Sequence, residues 1–252
     1  MKIAAGIAML EISAVVMGKL DTIYPTLLWD HQSAILVDTG YPGQLPKFRE
    51  ALEQEDVSWD RLNHIIITHQ DIDHIGSLAN ILADSPQTIT VSANKLEQPY
   101  IQGEKQLLKI TPEAIELAVA SLPAEVPLEW RKAFRSALEN PPKAQVDNII
   151  QNEQELPYCE GIIIIDTPGH TPGHISLYHK ASKTLIAADA LVVIDGQLQG
   201  PTPEHALDIR QAIQSLQKLE SFDIQNVICY HGGLHQGNHI NQRIKHLASV
   251  SV

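Results

Sequence analysis

Six consecutive positions, His69, Gln70, Asp71, Ile72, Asp73 and His74, carry two imidazoles and two carboxylates directly after the apolar run 64–68. Imidazole nitrogen and carboxylate oxygen both ligate divalent zinc, at about 2.0–2.2 Å. In an extended turn, alternate residues can aim at one ion while the next pair aims at a second. Taken alone, the same six residues also fit a merely polar loop.

Three further segments repeat the arrangement. "DTPGHTPGH" (166–174) offers His170 after an apolar run, with Pro168 and Gly169 forming the tight turn that exposes it. "LIAADA" (185–190) places Asp189 at the end of an apolar strand, where an unpaired carboxylate is costly to bury. "VICYHGG" (227–233) does the same with His231. Four strand ends thus each deliver an imidazole or a carboxylate, in an order compatible with one site. The chain has no Gly-rich phosphate loop, Gly-x-Ser-x-Gly elbow or nucleophilic cysteine motif, so the chemistry rests on metal-activated water.

The elements that must position these groups alternate between strand and helix. Residues 22–28 and 34–38 are β-type runs separated by the turn-like 29–33, and 43–55 reads as a helix from the spacing of Leu45, Phe48 and Leu52. The wholly apolar 64–68 has the pattern of a strand covered on both faces. A helix over 75–84 and a strand over 88–93 follow. Residues 95–150 are rich in Glu, Lys, Gln and Pro, with helical patterning, and read as an insertion. Strands then return, with a hairpin turn at 180–183, a long helix over 203–220, a strand at 226–230 and a C-terminal helix. Strands bracketed by helices in both halves predict an α/β (α+β) chain with two sheets between helical layers.

With 252 residues, 44% of them hydrophobic, the chain suffices for one large domain or two small ones. A formal charge of −12 leaves no basic surplus to neutralise phosphates, which argues against nucleic acid or an anionic membrane as partner. Cys159 and Cys229 do not suggest a disulfide framework. The apolar start, 1–18, is interrupted by Glu11 and reads as an N-terminal strand; no run is long enough for a membrane span. The expectation is a cytoplasmic protein acting on a small molecule, with self-association left open.

These segments together resemble the metallo-β-lactamase superfamily across almost the whole chain: "ILVDTG" (35–40), "THQDIDH" (68–74), "DTPGHTPGH", the Asp in "IAADA" and the His in "CYHGG". The resemblance implies a four-layer αββα sandwich, one domain over 1–252 with 95–150 as a helical insertion and substrate lid. It implies two divalent ions, zinc first, with His69 and His170 on one ion, Asp73, His74 and His231 on the other, and Asp189 bridging. Asp38 would organise the site, and Asp73 would also accept the proton during attack, as its catalytic residue. The departure is Asp71, where the family motif has histidine. A carboxylate there can still ligate; it makes the site less positive and suits manganese or iron better than histidine does.

The implied activity is hydrolysis of an ester, lactone, thioester or related bond. The alternative is an iron-dependent redox enzyme of the same fold, since diiron relatives carry a carboxylate where Asp71 stands. Among neighbouring residues, His174 reads as a supporting or packing group and His64 as a core histidine. His235 and His239 read as surface residues, and Tyr41 and Tyr230 as packing.

Overall fold

Alternate residues of the central strands point into different cores, and this sets the layering. In the computed structural model, which describes residues 1–16 and 18–250, Ile35, Val37 and Ile66 pack with Ile162, Ile164, Ile175, Ile186 and Ile228. Their neighbours Leu36, Ile65 and Ile67 face the opposite way, toward Phe48, Leu52, Leu78 and Ile81. On the far side, Leu185, Ala187, Val227 and Cys229 pack against Leu216, Leu219, Ile244 and Leu247. Three buried clusters therefore separate four layers, helix, sheet, sheet and helix. The expected αββα sandwich is the observed fold.

The first sheet runs, in spatial order, Lys2–Ala4, Ile7–Met9, Thr26–Trp29, Ala34–Val37, His64–Ile67, Thr90–Asn94 and Asn148–Ile150. Its last four strands are parallel. The second runs Glu155–Leu156, Ile162–Asp166, Ile175–His179, Thr184–Ala188, Asn226–Cys229 and Gly233–Gln236. Thr184–Ala188 and Asn226–Cys229 are parallel, and Ile162–Asp166 shares their direction, being two antiparallel pairings away. The strands that precede the candidate ligands thus end along one edge of the sandwich, where a rigid sheet holds open loops.

Several boundaries differ from expectation. The run 22–28 is cut at Pro25, which has no N–H to give a ladder: Lys19–Ile23 pairs with Ile12–Val16 in a separate ribbon, while Thr26–Trp29 joins the first sheet. Among the described residues of the N-terminal 1–18 there are three strands instead of one. The helix over 75–84 is two helices, Ile72–Ile75 and Leu78–Asp84. The long helix over 203–220 is an α-helix only over Ile209–Ser215, continued as a 3-10 helix over Leu216–Ser221. Asp208 sets its start, its carboxylate accepting from the Gln211 N–H as an N-cap.

Residues 95–150 leave the first sheet after Thr90–Asn94 and return as the adjacent strand Asn148–Ile150. They divide into two parts. Ile101, Leu107 and Val146 belong to the core, whereas the helix Leu128–Glu139 buries no residue and leaves Leu128 and Trp130 exposed. Among the described residues, no helix is long and apolar enough to cross a membrane.

Candidate metal centre

The candidate ligands lie in the loops just beyond four strand ends, with Asp73 and His74 in the short helix Ile72–Ile75, and backbone irregularities aim several of them. The pairing of Thr184–Ala188 with Asn226–Cys229 is irregular between Ile186 and Ala188, and Ala188 has φ 48°. A bulge of this kind turns the next side chain, here Asp189, toward the site. Asp38 adopts φ 65°; such backbone costs about 1–3 kcal/mol and is typical of functional loops. Before His170, Gly169 has φ 132°, and a Cβ there would lie 2.1 Å from the Ala212 backbone nitrogen.

The loops bring the seven residues into two groups. His69, Asp71, His170 and Asp189 form the first, and Asp73, His74 and His231 the second. In the first, His69 Nε2 lies 3.3 Å from Asp71 Oδ2 and 3.9 Å from Asp189 Oδ2. His170 Nε2 lies 3.0 Å from Asp71 Oδ2 and 3.2 Å from Asp189 Oδ2. In the second, Asp189 Oδ2 lies 3.5 Å from His74 Nε2 and 3.6 Å from His231 Nε2. Asp73 Oδ2 lies 3.8 Å from His74 Nε2 and 3.3 Å from His231 Nε2. Tetrahedral zinc with bonds near 2.1 Å separates its ligands by about 3.4 Å, so both groups have edges of the right length. One oxygen, Asp189 Oδ2, lies within 3.9 Å of imidazole nitrogens in both. The buried atoms His69 Nε2, His74 Nε2 and Asp189 Oδ1 have no hydrogen-bond partner in the protein. Orphaned buried donors and acceptors are costly, and a divalent ion uses the lone pairs that these imidazoles present. The residues fit a metal.

Surrounding groups orient the ligands. His74 Nδ1 donates to Asp38 Oδ2 at 2.9 Å, which leaves Nε2 free to ligate. Asp38 is itself held by the Thr68 N–H and hydroxyl, at 2.8 and 2.7 Å. Tyr230 stacks on His74 with ring centres 3.8 Å apart. Its hydroxyl donates to the Asp73 carbonyl at 2.5 Å and accepts from the Gly40 N–H at 3.2 Å. Packing alone does not describe this tyrosine: it positions the second group. His174 spends both nitrogens elsewhere, Nδ1 on Thr167 Oγ1 at 2.8 Å and Nε2 on the Asp189 N–H at 3.2 Å. It orients the strand end that carries Asp189 and has no lone pair for an ion.

The electrostatics are those of a cation trap. Burial alone raises a carboxyl, yet at Asp71 this is outweighed by His69, His170 and Lys109, which hold it well below the usual range. Burial likewise opposes ionisation of Asp189, but His231, His74 and His170 hold it well below that range too. At His231, burial lowers the imidazole but Asp189 and Asp73 push it up to about 9. In contrast, burial and the neighbouring His69 and His170 hold His174 well below its ordinary value.

The other weighed residues stay outside both groups. His64 is half-buried against Tyr158, ring centres 4.4 Å apart. His235 meets the Gly196 carbonyl, and His239 is exposed. Tyr41 donates to Asp21 Oδ2 at 2.7 Å and lines a cavity of about 480 Å³ over the metal groups. Sequence reasoning missed two residues. Glu97, fully buried, accepts from the Gln70 N–H at 3.0 Å and from the Gly173 N–H at 2.7 Å, tying together the loops of His69 and His170. Lys109 reaches Asp71 and His170. Neither sits in a motif: each is one charged residue in a polar segment, and only the folded chain shows its target.

Comparison with known proteins identifies the family and the fold. The sequence profile described as "Metallo-beta-lactamase superfamily" matches residues 19–231. The chain is 26% identical over 228 residues to a probable metallo-hydrolase, YflN, of Bacillus subtilis, covering 86% of this chain and 82% of that one. It is 24% identical over 170 residues to the hydroxyacylglutathione hydrolase GloC of Haemophilus influenzae, covering 66% and 65%. Among solved structures, a metallo-beta-lactamase family protein from Thermus thermophilus, TTHA1429, superposes with a TM-score of 0.69 at 20% identity, covering 98% of this chain and 80% of that one.

Proposed function

This chain belongs to the metallo-β-lactamase superfamily, and from that premise we propose a hydrolase of an ester, lactone, thioester or related bond, whose site would hold two divalent ions that would supply an activated water. The observation that carries the reading is the pair of ligand groups sharing Asp189 Oδ2. Bound divalent ions lower the pKa of water toward neutrality and polarise a carbonyl. His69, Asp71, His170 and Asp189 would hold one ion, and Asp73, His74, His231 and Asp189 the other, with zinc the first choice.

The protein's own groups then do the rest. Asp38 and Tyr230 hold His74 and the Asp73 backbone still. Asp73, 16% exposed at the edge of the cavity, accepts the proton of the attacking water. Leu191, Val192 and Ile194 give the cavity an apolar wall for a small-molecule substrate. From 95–150, Lys109 lines this cavity, so any role in substrate selection belongs first to the stretch around it. Likeness to a hydroxyacylglutathione hydrolase keeps a thioester among the candidates. Screening lactones, thioesters, aryl esters and phosphodiesters with zinc- and manganese-loaded protein tests the proposal; metal-independent turnover, or none on any of these, refutes it.

A second reading has one specific support. Asp71 supplies a carboxylate oxygen to the first group, and harder ligands suit iron. An iron-dependent redox enzyme of the same fold predicts iron, rather than zinc, in protein purified without added metal.

A further inference from the structure

Lys109 is held where it can contest the first metal group. Its Nζ donates to Asp71 Oδ2 at 2.6 Å and lies 2.7 Å from His170 Nε2, to which it donates in the tautomer that carries its hydrogen on Nδ1; the same Nε2 lies 3.0 Å from Asp71 Oδ2. Its position is built from both sides. Leu107 is buried in the core, and the Leu108 N–H donates to Gln70 Oε1 at 2.8 Å, in the middle of the ligand motif. After it, Thr111 caps the helix Pro112–Ala120 by accepting from the Ala114 N–H. The lysine side chain is 27% exposed, with a route to solvent on one side.

A neutral imidazole nitrogen has one lone pair. When His170 Nε2 accepts from the Lys109 ammonium, that pair is unavailable to an ion; when it ligates, the ammonium must leave and would face a divalent charge. The second group, Asp73, His74 and His231 with Asp189, has no lysine among its partners. We propose that Lys109 is a built-in competitor for the first metal site. The second site fills first, and the first fills only as Lys109 swings out and loosens the 107–110 turn from Gln70. This rests on the two-metal reading above, not on which bond is cleaved.

The test is a titration of metal-free protein with zinc against a chromophoric chelator, comparing wild type with Lys109→Met, which keeps the stem and removes the ammonium. Wild type should bind two ions of unequal affinity, and Lys109→Met should tighten the weaker at least about 10-fold while leaving the stronger unchanged. Two ions bound with the same affinities in both proteins overturns the competition alone. One ion or none in both overturns the competition together with the two-metal reading. Amide exchange provides a check without a variant: in wild type, the Leu108 N–H should exchange faster once the second equivalent of zinc is bound. Unchanged or slower exchange speaks against the swing.

Discussion

Asp38 Oδ2 lies 2.9 Å from His74 Nδ1, so a residue thirty-six positions upstream decides which nitrogen of His74 faces the second metal group. The backbone of Asp38 is left-handed at φ 65°, a conformation that Asn also tolerates. Asp38→Asn should therefore fold but weaken zinc at the second site about 10–100-fold, the usual cost of losing such a partner. Chelator competition measures it; wild-type affinity would show that the carboxylate is dispensable.

Asp73→Asn removes a proposed ligand and the proposed proton acceptor together. Hydrolysis of the best substrate should fall at least about 10²–10⁴-fold, the range for acid–base catalysis alone. Near-normal kcat in the metal-loaded variant would take Asp73 out of the mechanism.

Asp71→His replaces with an imidazole a carboxylate oxygen that lies 3.0 Å from His170 Nε2 and 3.3 Å from His69 Nε2. The site gains one unit of positive charge, so zinc should be preferred over manganese more strongly than in wild type. Competition between the two ions in both proteins decides it, and identical preferences would mean that Asp71 is no ligand.

Gly169→Ala places a Cβ 2.1 Å from the Ala212 nitrogen at a φ of 132°. Both steric and backbone terms are unfavourable, and a loss of about 2–4 kcal/mol is expected. Because His170 is the next residue, zinc affinity at the first site should drop with it. Denaturant unfolding and zinc titration report the two effects separately, and a wild-type midpoint would disprove the close approach.

His179 lies far along its strand from the metal groups, buried between the Cys159 carbonyl and Ser182. Burial lowers its folded pKa from the ordinary 6.5, so the unfolded chain binds its proton first. Its contribution to stability is complete above about pH 6.5 and declines as pH falls through the folded value. His179→Gln should flatten the acid limb of Tm against pH relative to wild type. Parallel curves would remove His179 from the acid response.

The ligand motifs were legible because their chemistry is local. Apolar runs such as 65–67 and 227–229 mark buried strands, and an imidazole or carboxylate one or two residues beyond one must have a purpose at the sheet edge. The two-sheet expectation rests on strands bracketed by helices in both halves, and the structure adds that Leu36 faces one core while Ile35 and Val37 face another. Irregular joints were less legible. The break at Pro25 and the late start of the helix at Ile209 follow from a missing N–H and a capping carboxylate, single-residue effects that periodicity averages away.

What no motif announces is a long-range partnership. Glu97 joins two ligand loops, Tyr230 braces Asp73, and Lys109 meets Asp71 and His170 across thirty-eight and sixty-one positions of chain. The sequence by itself determined the layered strand–helix order and, through its motifs, the family whose fold is the sandwich, together with the residue types of the candidate metal centre, because element order and ligand chemistry are written in neighbouring residues. Tertiary structure alone decided which lone pairs face the metal groups, which are already spent, and which one a lysine contests. Hydrogen-bond direction depends on atoms brought within 3 Å or so by the whole fold, and no local pattern encodes that distance.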